Sequence, residues 1–175
     1  PARDTPDGRS WLRIPHDAFV AGIVARMQVH RHYTDLLQAF RRLLETAPKA
    51  YLIIVGRGSK QEQVARRPVR DLGLEDHVRF AGFIEGENYV GMLKAFDVGV
   101  FLMPGSDGTC RAVREIMAMA KPMIAADRGM LREIVTHGTD GLVCDGSADG
   151  LYQNLRRLSE SRSERLRLGR AARDI

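Results

Sequence analysis

A doubly wound, parallel α/β sheet of about six strands is the fold this sequence predicts, on three observations. Short apolar runs alternate with helical patterns from residue 20 to the end of the chain. Two runs, Tyr51–Val55 and residues 98–102, are continuously apolar, as strands covered on both faces are. The runs number about six, too few for an eight-fold barrel, and strand–helix alternation implies parallel strands wrapped by helices on both faces.

The elements run in order along the chain. Residues 1–19, with Pro6, Gly8 and Pro15, are polar and read as a linker-like lead-in, and residues 20–175 read as one domain. Residues 19–25, rich in Val and Ile, predict the first strand. Thr34 predicts a helix N-cap with Asp35 in the first turn. Leu36, Leu37, Phe40, Leu43 and Leu44 then recur at helical spacing until Pro48. Tyr51–Val55 is the second strand, stopped by Gly56 and Gly58. A helix over residues 61–72 is expected to kink at Pro68 and to end at Gly73. Strands over 78–81, 98–102, 122–126 and 141–143 alternate with helices over 88–95, 111–120 and 130–135. Two terminal helices cover 151–158 and 164–172.

Length and composition bound the function. The 175 residues suffice for one domain and are marginal for two. Hydrophobic residues at 44% and charged residues at 28% exclude disordered and collagen-like sequence. No apolar run approaches the ~18 residues of a membrane span. The sequence opens on Pro1 without a secretory signal pattern and is expected to be a piece of a longer chain. Cys110 and Cys144 are too few for a disulfide framework or a Cys-only zinc site, which points to a reducing, cytoplasmic compartment. Lys and Arg total 27 against 22 Asp and Glu, a net charge of +5 that suits an anionic partner. Aromatic residues are 6% and none interleave with the basic ones, which argues against nucleic acid.

Sheets of this kind bind ligands beyond the carboxyl ends of their strands, so the loops after strands carry the chemistry. The first holds Arg26, His30, Arg31 and His32, and guanidinium groups there suit phosphate oxygens. Taken alone it reads equally as a solvated basic loop. Gly56 and Gly58 lack the third glycine of a dinucleotide fingerprint, since Gln61 stands in its place. They mark a tight turn or the close approach of something to the backbone. Residues 104–115 are the most informative. Thr109 is a candidate cap, Gly108 leaves room for a ligand, and the first-turn N–H groups of the next helix suit an anion. Arg111 and Arg114 stand where the helix dipole disfavours cations. An Arg111–Glu115 pair is in the weaker order, worth about 0.2–0.5 kcal/mol at best, so a bound anion accounts for these arginines better than helix stability. Asp107 and Glu115, eight apart, either face one ligand from the same side or are a turn residue and a surface residue.

These segments, taken together, resemble family 4 glycosyltransferases. Val24-Ala25-Arg26 with Arg31 is similar to that family's RL…KG segment, and Ile53-Ile54-Val55-Gly56-Arg57-Gly58 to its apolar strand and glycine turn. Val78-Arg79-Phe80-Ala81-Gly82-Phe83 is similar to its V-x-F-x-G segment, and the run from Asp97 to Pro104 to the strand before its active-site loop. The stretch from Asp107 to Ala120, with Lys121-Pro122, resembles its E-G-F-G…L-E-A-M-A-x-G-x-P signature. Gly129 to Val135 and Gly138 to Val143 resemble the family's segments C-terminal to that signature. The likeness covers about residues 20 to 172. Arg31 stands where Lys is usual, His32 where Gly is usual, and Asp107 where Glu is usual. The loop from Pro104 to Asp107 is one residue short.

The resemblance implies one Rossmann-like lobe of a two-lobed GT-B enzyme, the C-terminal lobe that binds a nucleotide-sugar donor. Residues 1–19 would then link it to an N-terminal, acceptor-binding lobe. It implies that Arg26 and Arg31 hold the diphosphate, that Glu115 holds the ribose hydroxyls and that Asp107 meets the donor sugar. Gly108, Thr109 and Cys110 would contact sugar or phosphate, with Arg111 and Gly56 beside them, and the base would lie near Phe83 and Ile84. The implied reaction is transfer with retention, without a metal and with no cofactor besides the donor substrate. The chain alone is expected to be inactive. A nucleotide-sugar epimerase of the same fold and a non-catalytic nucleotide-binding lobe are the alternatives. Arg156, Arg157, Arg162, Arg165, Arg167, Arg170 and Arg173 read either as a solvated face or as a dock for an anionic membrane, with the protein peripheral at its inner face.

Overall fold

The computed structural model describes residues 5–104 and 110–175. Six parallel strands form one sheet: β1 Val20–Val24, β2 Tyr51–Val55, β3 Val78–Gly82, β4 Val98–Phe101, β5 Met123–Ala126 and β6 Gly141–Cys144. Their order is β3-β2-β1-β4-β5-β6. The chain builds outward from β1 to β3, then crosses back to start again on the other side of β1. The doubly wound sheet expected from the alternation is therefore present.

Alternation of side chains along each strand feeds two cores. Ala21, Ile23, Leu52, Ile54, Val98, Val100, Ile124 and Leu142 bury into one, beneath helices α2 (Tyr33–Thr46) and α7 (Ala148–Glu160). Val20, Ile53, Val55, Phe101, Met123 and Ala125 bury into the other, beneath α4 (Gly86–Ala95), α5 (Arg111–Ala118) and α6 (Leu131–Ile134). Every strand residue named is almost wholly buried. This is why the strands read as unbroken apolar runs. α8 (Arg162–Arg173) closes the chain, with Gly169 against the carbonyl of Ala120. Among the described residues no helix is long and apolar enough to cross a membrane.

Three local features refine these expectations. α2 starts at Tyr33, so Thr34 lies inside its first turn and is not the N-cap. The chain enters it from a 3-10 turn over Val29–Arg31 through His32, whose left-handed φ of 58° sets the first turn before Thr34 is reached. The expected helix near Pro68 is one unbroken helical run over residues 61–71, in which Glu62–Arg66 is a wider, π-type segment that leads into α3 (Arg67–Asp71), with Pro68 near the start of α3. The described part of the lead-in packs against the domain. It forms α1 (Gly8–Trp11), and Arg9 donates to the carbonyls of His16, Ala18 and Ala95 and, at 3.0 Å, to Asp97 Oδ2. That carboxylate also accepts the N–H of Val20, where β1 begins.

Candidate functional site

The return of the chain from β3 to β4 leaves a crevice above the carboxyl ends of β1 and β4, the switch point where such sheets bind ligands. A cleft of ≈ 580 Å³ occupies it. Its floor is the ends of β1, β2 and β4, at Val24, Ala25, Val55, Gly56 and Phe101. One wall is residues 83–86 with Tyr89 of α4, and the other is the start of α5, from Cys110 to Glu115.

Of the residues singled out from sequence, the cleft gathers Arg31, Gly56, Phe83, Ile84, Cys110, Arg111 and Glu115. Arg26 is exposed and is not among the lining residues. Asp107, Gly108 and Thr109 lie outside the described residues.

Arg31 is fixed from one side. Its Nη1 donates to the Met103 carbonyl at 2.7 Å, and its guanidinium lies 5.9 Å from the Phe101 ring centre. Its Nε is buried and has no hydrogen-bond partner among the described residues. A buried charged donor left unmatched is unfavourable by at least ~1–3 kcal/mol, so this atom suits an acceptor brought by a ligand.

The glycine pair has a backbone explanation. A side chain at Gly56, at φ +127°, would strike the carbonyl oxygen of Ala25, and one at Gly58 would strike that of Met27. Met27 N–H donates to Arg57 O at 3.3 Å. The two loops at the ends of β1 and β2 thus touch each other, and protein backbone meets the side of each glycine where a Cβ would stand. Beside them the Arg57 guanidinium sits 4.8 Å from the Phe83 ring centre and braces a ring that is 57% exposed at the rim.

Across the cleft, Cys110 turns the chain into α5 through a left-handed conformation, φ 46° and ψ 41°. Such a residue sits against steric resistance, and strain of this kind collects at ligand sites. Arg111 and Ala112 come next, at the first turn, and their N–H groups have no acceptor within the helix, whereas that of Val113 reaches the Cys110 carbonyl at 2.9 Å. One turn on, Glu115 is held at both oxygens. Arg111 Nε donates to Oε1 at 2.7 Å and Tyr89 Oη donates to Oε2 at 2.7 Å. Burial, the bond to Glu115 and the carboxylate charge together push the Tyr89 phenol well above its ordinary value, so it stays protonated as a donor. The Arg111–Glu115 pair expected as one option from sequence is therefore formed, with the Arg111 side chain still 83% exposed beside the cleft. Sequence reasoning does not single out Tyr89, because nothing in its own segment distinguishes it: it is one aromatic residue in a short helix. Only the packing of α4 beside α5 brings it to Glu115.

The family profile described as glycosyl transferases group 1 matches residues 5–175. The D-inositol 3-phosphate glycosyltransferase of Corynebacterium kroppenstedtii is 27% identical over 98% of this chain and 40% of its own length. A GDP-mannose-dependent monoacylated alpha-(1-6)-phosphatidylinositol monomannoside mannosyltransferase of Corynebacterium glutamicum is 30% identical over 85% of this chain and 40% of its own. The chain therefore spans well under half the length of these relatives. Among solved structures, HepE of Anabaena in complex with UDP-glucose superposes with a TM-score of 0.83 at 24% identity, over 95% of this chain and 45% of that one. The C-terminal domain of a group 1 glycosyl transferase, LpcC of Francisella tularensis, superposes with a TM-score of 0.80 at 21% identity, over 99% and 91%.

Proposed function

The chain belongs to the glycosyl transferases group 1 family and has the fold of a Rossmann-like GT-B lobe, and from that premise we propose that it binds a nucleotide-diphosphate sugar as the donor lobe of a retaining glycosyltransferase. The observation that carries this reading is Arg31, which lines the cleft with Nη1 bound to the Met103 carbonyl and with an Nε that has no partner among the described residues. The likeness of this lobe to a structure in complex with UDP-glucose supports it.

On this reading the diphosphate lies along the start of α5. Arg31 meets it from inside the cleft and Arg26 from the exposed loop. Glu115 accepts from the ribose hydroxyls, and the base lies by Phe83 and Ile84. Asp107, with Gly108 and Thr109, faces the sugar. As the bond from the anomeric carbon to the phosphate oxygen breaks, negative charge grows on the departing diphosphate. Arg31, Arg26 and the first-turn amides of α5 stabilise it where it forms. The acceptor hydroxyl bonds to the anomeric carbon on the same face and passes its proton to the departing phosphate oxygen. The acceptor is assigned to a second lobe, so this chain alone turns over no substrate. The relatives named above are transferases, which does not favour an epimerase or a regulatory lobe.

Calorimetry with UDP, GDP and ADP tests the reading. At least one binds, and Arg31→Ala weakens it by about 1.5–3 kcal/mol, the worth of a charge-assisted contact. Arg26→Ala weakens it less, since Arg26 is exposed. Unchanged affinity in both variants would refute the phosphate assignment.

A further inference from the structure

We propose that Tyr89 is the positioning residue for Glu115, and that its hydroxyl sets how strongly this lobe prefers a ribonucleotide over a 2′-deoxyribonucleotide. The inference rests on the reading of Glu115 as the ribose contact.

Two groups compete to orient the Glu115 carboxylate, and their surroundings decide between them. The Arg111 side chain is 83% exposed, and its bond to Oε1 is a helix-surface pair one turn long. Exposed pairs of this kind are worth ~0.3–0.5 kcal/mol and fade with salt, so Arg111 alone leaves the carboxylate free to swing. Tyr89 is half-buried, comes from a different helix and lines the cleft. Its bond to Oε2 is charge-assisted and partly shielded from water, the stronger kind. Glu115 itself is only 28% exposed. With one donor on each oxygen, about two of the four acceptor positions of the carboxylate stay open. A vicinal diol offers two donors. Loss of the Tyr89 hydroxyl would release Oε2, and the rotamer that presents both open positions to one ring would no longer be held.

The test uses this chain, calorimetry, and four probes: UDP and GDP, each with its 2′-deoxy counterpart. Inorganic pyrophosphate is the control. Tyr89→Phe keeps the ring and removes only the hydroxyl. It is expected to weaken ribonucleotide binding about three- to ten-fold, the range of one hydrogen bond. Pyrophosphate binding should be unchanged, and that of the deoxy counterpart, which keeps only the 3′-hydroxyl, should weaken less, so the ribo-to-deoxy ratio falls. In a Glu115→Gln background, Tyr89→Phe should change the ratio no further. A general loosening of the cleft would instead weaken all the ligands alike and would overturn the proposal. A ratio that falls in Glu115→Gln but holds in Tyr89→Phe also overturns it while leaving the ribose reading intact. A ratio indifferent to Glu115→Gln removes that reading, and the role of Tyr89 with it.

Discussion

Left-handed backbone at His32, Cys110 and Ala120, with φ of 58°, 46° and 57°, links local strain to ancestry. The family segments this chain resembles place glycine at all three: after the Lys of KG, at the end of E-G-F-G, and before x-P. The conformations are kept although the glycines are not. A side chain in this region costs roughly 1–2 kcal/mol, partly offset because glycine gives the unfolded chain more freedom. Ala120→Gly should therefore raise stability by about 0.5–1 kcal/mol in urea unfolding. His32→Gly should gain less, because it also removes the contact of His32 Nδ1 with Asp35 Oδ2 at 3.2 Å. An Ala120→Gly midpoint at or below that of the parent would mean the turn is not strained. The substitution of His32 for glycine was legible in the sequence, but the sign of φ was not. Alanine disfavours the left-handed region and histidine enters it only as a minority conformation, so the surrounding fold imposes it.

At the scale of elements, the clearest gain over the sequence is the lead-in. Its prolines and polar residues read as a linker, yet Arg9 gathers three carbonyls and Asp97, tying α1 to the starts of β1 and β4. Arg9→Met takes the donor from those carbonyls and leaves the partly buried Asp97 carboxylate with only the Val20 N–H, and should destabilise the lobe by about 2–4 kcal/mol. A denaturation midpoint unchanged by Arg9→Met would mean that these contacts do not hold the lead-in to the sheet. The strands, by contrast, were legible nearly to the residue, since burial on both faces writes an unbroken apolar run. Helix starts were less so. Those of α2 and α3 are set by a left-handed residue and a π-type segment, neither of which has a residue signature as plain as an N-cap serine.

For the whole molecule, the basic C-terminal region is less available than its sequence suggests. Arg156 pairs with Glu160, and Arg157 and Arg167 pair with Glu164. Arg165 bonds the carbonyls of Leu158 and Ser159 and lies over Phe19. Leu151, Leu155 and Leu158 are buried as expected, whereas Leu166 is half exposed. Among the described residues Arg162, Arg170 and Arg173 stay exposed without a hydrogen bond or ion pair. Three basic residues contribute about 1 kcal/mol each at an anionic surface. Sedimentation should show weak binding to phosphatidylserine vesicles at low salt, none to phosphatidylcholine vesicles, and loss of the difference as salt rises. Equal recovery with both vesicle types at low salt would return the three arginines to a solvated face.

Sequence alone determined the fold class and the strand positions, because apolar runs and glycine turns are local consequences of burying both faces of a sheet, and its resemblance to known segments pointed to the family. It also marked Arg31, Gly56, Phe83, Ile84, Cys110, Arg111 and Glu115, which one cleft then gathers. Tertiary structure decided the strand order, and with it the crevice between the ends of β1 and β4. It decided that Gly56 and Gly58 serve a contact between loops, that the Arg31 Nε stays unmatched among the described residues, and that Tyr89 reaches Glu115. Each of these depends on atoms far apart in the chain. Tyr89 and Glu115 are 26 positions apart, and only the packing of α4 against the same face as α5 closes that distance to 2.7 Å.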